Sequence, residues 1–114
     1  MPTDFQHQTT ADALAQIRSA EHALDDVLAS TADASTLGVI AGVYGQLTSV
    51  ATSLIQAQTT ADDALFTRLT VSLNAQAKSL KASEALIQHV VADAAVAGKV
   101  LGYLSQAAVL IAKL

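Results

Sequence analysis

Residues 36–55 read TLGVIAGVYGQLTSVATSLI, and the surroundings of this run decide the fold. It lies within a longer stretch, residues 34–61, that carries no charged side chain. A helix of about 20 such residues is long enough to cross a bilayer, and Gly38 and Gly42 have the spacing of a membrane helix-pairing motif. A span would, however, have to accommodate Gln46, Thr48, Ser49, Thr52 and Ser53, although hydroxyls can bond back to their own helix. It would also lack flanking Lys or Arg anchors and an aromatic belt. The run therefore reads as a packed helix of a soluble bundle, and a membrane partner is not favoured.

On a helical wheel this second helix, about residues 37–57, has two stripes. Leu37, Ile40, Val43 with Tyr44, Leu47, Val50 and Leu54 form a bulky apolar side. Gly38, Gly42, Gly45, Ser49 and Thr52 form a side of small residues, which lets another helix backbone come close in lipid or in water. The end of the chain repeats the device with Ala94, Gly98, Gly102, Ser105, Ala108 and Ala112. These two helices carry too little polar surface for the outside of a monomer. Either they bury each other as a central pair, or they face partner chains. The sequence favours the second, so Gly38 to Thr52 and Ala94 to Ala112 are the candidate self-association stripes.

Working outward, residues 11–30 show an apolar stripe of Ile17, Ala20, Leu24, Val27 and Leu28 opposite Gln16, Arg18, Ser19, His22, Asp25 and Asp26. Residues 31–36 read as a polar loop, with Ser35 or Thr36 capping the next helix. A third helix begins near Thr60 and buries Phe66, Leu69, Leu73, Ala77 and Leu80, with Lys78 and Lys81 suited to its C-terminal end. Ser83-Glu84 is read as the boundary with a fourth helix running to about Lys113. No Gly or Pro marks that boundary, so one long bent helix is the alternative.

QTTAD occurs at residues 8–12 and again at 58–62. Thr9 with Asp12, and Thr59 with Asp62, have a spacing related to a capping box, so both copies read as helix starts. A looser echo relates residues 40–55 to residues 96–111. A duplicated helical hairpin and a coincidence in an Ala/Thr/Gln-rich chain both remain open. Two copies are too few for a solenoid. The expected fold is all-α, an antiparallel four-helix bundle in one domain: a flexible N-terminus over 1–8, a hairpin over about 9–57 and a second over about 58–114.

Composition agrees. The chain has 114 residues, enough for one core. It is 52% hydrophobic but 4% aromatic, with one Pro and five Gly, so Ala, Val, Leu and Ile must build the core of long helices. The net charge of −4 and scattered basic residues argue against nucleic acid. No cysteine is present, which removes disulfide and thiol chemistry. The N-terminal MPTDFQHQTT is polar, lacks the marks of a signal peptide and suggests a cytoplasmic protein, with non-classical export open.

The sequence offers little chemistry. His22 lies near Asp25 and Asp26, and His89 lies four residues before Asp93, but neither pair belongs to a recognisable metal or acid–base motif. Glu21, Asp25 and Asp26 form an acidic patch, a possible docking face for a basic partner. Tyr44 and Tyr103 sit in apolar helices and need hydrogen-bond partners when buried. No phosphate loop or nucleophile elbow occurs. The reading is a non-enzymatic helical protein, without cofactor or metal, that works by self-assembly as a homo-oligomer or a subunit of a larger structure. Its rivals are a membrane- or lipid-active protein, a small acidic binding module of the immunity-protein or secretion-chaperone type, and a bundle holding an apolar ligand.

Overall fold

A computed structural model describes Pro2–Leu114. It contains four α-helices: α1 Asp4–Ser30, α2 Ala34–Thr59, α3 Asp63–Val90 and α4 Ala94–Ala112. Three-residue connections join them, so sequential helices run antiparallel and pack as neighbours. Contacts link α1 with α2, α2 with α3, α3 with α4, and α4 with α1. The bundle measures 47 × 20 × 20 Å. This is the expected antiparallel four-helix bundle.

Each helix begins at a side chain that satisfies its free amides. Thr3 and Gln6 form a reciprocal capping box at α1, with Gln6 N–H donating to Thr3 Oγ1 at 3.0 Å and Thr3 N–H to Gln6 Oε1 at 2.9 Å. Asp33, Asp62 and Asp93 cap the other three helices. These caps correct several sequence-based boundaries. The first QTTAD lies inside α1, with Thr9 and Thr10 buried, and residues 4–8 of the expected flexible segment are helical; Met1 lies outside the described residues. The second QTTAD spans the α2–α3 connection, with Asp62 rather than Thr59 as the cap. Asp33, not Ser35 or Thr36, caps α2.

The expected boundary at Ser83 is also displaced. Ser83 is 4% exposed within α3. Its hydroxyl donates to Gln46 Oε1 of α2 at 2.7 Å and lies 3.2 Å from its own turn's Ser79 carbonyl. This polar residue is internal because it has a partner across the helix pair. α3 therefore continues to Val90, and Lys78 and Lys81 lie in its middle rather than in its last turn. α3 and α4 are separate helices, which rules out the single bent helix.

The core is built as the composition requires. Ala13, Ile17, Ala20 and Leu24 of α1 are fully buried, as are Ile40, Leu47 and Leu54 of α2. Phe66, Leu73, Leu80 and Ile87 of α3 and Val100, Leu104 and Ile111 of α4 close the interior. Removing about 25 cal/mol of unfavourable hydration per Å² of apolar surface drives this collapse.

Candidate functional site

The bundle order fixes which way the small-residue stripes point. Among the described residues no Cα of α2 comes within 8 Å of one in α4, and none of α1 within 8 Å of one in α3. α2 and α4 thus occupy opposite corners, which excludes the arrangement in which they bury each other. Gly38, Gly42, Gly45, Ser49 and Thr52 are all exposed, as are Ala94, Gly98, Gly102, Ser105 and Ala112. Ala108 leaves the stripe: it is half-buried in a groove with Ala77, Leu80 and Lys81 of α3. Val109, 58% exposed, takes its place on the outer face. The two stripes point away from each other on opposite sides of the molecule.

Aligning the helices by their caps gives a closer correspondence than the sequence echo. Ala32-Asp33-Ala34 and Ala92-Asp93-Ala94 start α2 and α4 alike. Sixty residues then separate Gly38 from Gly98, Gly42 from Gly102, Gly45 from Ser105, and Gln46 from Gln106. The echo between residues 40–55 and 96–111 is offset by one helical turn from this register. A four-residue slip returns to nearly the same helix face, which is why a similar pattern survived it.

The chain's own packing gives no reason for the glycines. Each lies in a helix, and an added Cβ at Gly38, Gly42, Gly45, Gly98 or Gly102 would meet nothing within 4 Å. Among the described residues no glycine has a positive φ. A helical Gly costs about 0.8–1 kcal/mol relative to Ala. Three hydroxyls on α2 are already satisfied: Thr48 donates to the Tyr44 carbonyl at 3.1 Å, Thr52 to that of Thr48 at 3.0 Å and Thr59 to that of Ile55 at 3.0 Å. Covering this face therefore strands none of those three donors.

Charge is divided between the diagonals. α1 carries Asp4, Asp12, Glu21, Asp25 and Asp26 against Arg18, whereas α3 carries Arg68, Lys78 and Lys81 against Asp63 and Glu84. α2 has no charged residue and α4 only Lys99. α2 and α4 are long and apolar enough to cross a membrane, yet only 33% and 28% of their most apolar stretches are buried in the bundle.

The acidic trio does not form one surface. Glu21 and Asp25 lie toward Tyr44 of α2, whose pKa is raised by burial, by the charges of Asp25 and Glu21, and by a hydrogen bond with Glu21. Asp26 instead lines a hollow with Ser30, Val91 and Asp93 at the end of the bundle. The histidines are scattered. His7 Nε2 lies 3.1 Å from the Thr60 carbonyl and its ring meets Phe66 edge-on at 6.5 Å, tying the start of α1 to the α2–α3 connection. His22 and His89 are exposed, and Asp93 accepts from the amides of Ala95 and Val96 as a cap. Among the described residues no three His, Asp or Glu side chains gather where they could hold a metal ion.

A polar α2–α3 groove of about 220 Å³, lined by Gln46, Ser49, Val50, Gln76 and Ser79, was not foreseen from sequence. Gln76 Oε1 is buried there without a hydrogen-bond partner. Its sequence signal was faint: polar residues one turn apart on two neighbouring helices. Comparison with known proteins finds no matching family model, no matching curated protein and no matching solved structure.

Proposed function

We propose that this chain is a non-enzymatic assembly protein whose copies associate through the outer faces of α2 and α4. The observation that carries this reading is the set of five helical glycines, none with a neighbour where a Cβ would stand. Their cost in helix stability finds no compensation inside the chain, and close approach of an outside helix supplies one. The lack of charge on α2 lowers the desolvation cost of covering it. The common Ala-Asp-Ala start and the 60-residue register support a duplicated hairpin as the source of two like faces.

Light scattering coupled to size-exclusion chromatography, without detergent and over a wide concentration range, tests the proposal. The expected result is a mass above that of the 11.7 kDa chain, rising with concentration and falling in the double variant Gly42→Leu/Gly98→Leu. A monomer at millimolar concentration, unchanged by those substitutions, refutes it.

The length and apolar character of α2 and α4 favour a second reading, insertion into a membrane. Apart from Ile55 and Val109, their outer faces bear mainly Gly, Ala, Ser and Thr rather than the bulky side chains that gain most from lipid. Failure to co-float with anionic or neutral liposomes between pH 4 and pH 8 removes it.

A further inference from the structure

We draw no further inference here: the strongest candidate, the polar groove between α2 and α3 where Gln76 Oε1 is buried without a partner beside Gln46, Ser49 and Ser79, carries none, because Gln16 Oε1 and Glu21 Oε1 of α1 are buried without a partner as well and nothing in the structure shows what occupies the groove.

Discussion

α1 and α2 lie side by side, and their inner faces are alike: Ile17 and Leu24 on one and Leu47 and Leu54 on the other are fully buried. Their outer faces differ. α1 presents Asp12, Arg18, His22, Asp25 and Asp26, the charged surface that water solvates well, whereas α2 presents Gly38, Gly42, Gly45, Ser49 and Thr52. α3 exposes Arg68, Lys78 and Lys81 but also Val71 and Leu86, and α4 resembles α2. The inner faces are set by the need to fill one core, and every helix meets that need in the same way. The outer faces answer to what lies beyond the chain, so the difference between the two diagonals carries the functional information.

The largest expected effect tests the claim that the inner faces are equivalent. Leu47→Ala and Leu24→Ala should each destabilise the fold by about 2–5 kcal/mol, since both leave a cavity in a filled core. Ser49→Ala and Arg18→Ala, on the outer faces of the same helices, should stay within about 0.5 kcal/mol of the unmodified chain at concentrations where it is monomeric. Urea denaturation followed by circular dichroism measures all four. A cost for Ser49→Ala that approaches that for Leu47→Ala would mean that the α2 outer face is buried within the monomer.

A smaller effect of opposite sign separates the diagonals further. Gly42→Ala and Gly102→Ala should each stabilise the dilute monomer by about 0.5–1 kcal/mol, because Ala loses less backbone freedom and its methyl group enters open space. In concentrated samples the same substitutions should lower the mean mass, because a methyl group holds two helix backbones further apart. A gain in monomer stability with no change in mass at any concentration would reduce the stripes to plain solvated surface.

The inner faces were largely legible in the sequence and the outer ones only in part. The 3.6-residue period picked out Ile17, Ala20, Leu24 and Val27, and likewise Phe66, Leu69, Leu73 and Leu80, all of which are buried. Periodicity reports a face without reporting where a helix stops. The α1 start was hidden because QTTAD resembles a cap more openly than the true Thr3–Gln6 box does, and Thr10 enters the interior by donating its hydroxyl to the Gln6 carbonyl at 2.8 Å. Ser83 was misplaced because its partner, Gln46, is 37 residues away, a distance no local pattern spans. The stripes themselves were legible, all but Ala108. Their direction was not, because it depends on which helices become diagonal, and that follows from three short connections rather than from the stripes.

The smallest predicted effect concerns the caps that set those connections. Asp33 accepts from both the Thr36 hydroxyl, at 2.7 Å, and the Thr36 amide, at 3.1 Å. These bonds, the hydroxyl's first, favour the ionised carboxylate and hold its pKa below the ordinary 3.8. A lowered pKa in the fold means that the unfolded chain binds this proton more readily. The contribution is therefore fully present above the ordinary carboxylate range and is lost as pH falls through and below 3.8. Asp33→Asn keeps a side-chain oxygen able to cap α2 but cannot titrate. Stability measured from pH 7 down to pH 2 should thus fall less steeply for Asp33→Asn below about pH 4, with the two proteins similar near neutrality. Parallel curves over the whole acid range would mean that the ionised state of Asp33 adds nothing to the start of α2. The difference between the diagonals would then rest on their outer faces without help from the cap that α2 shares in kind with α4.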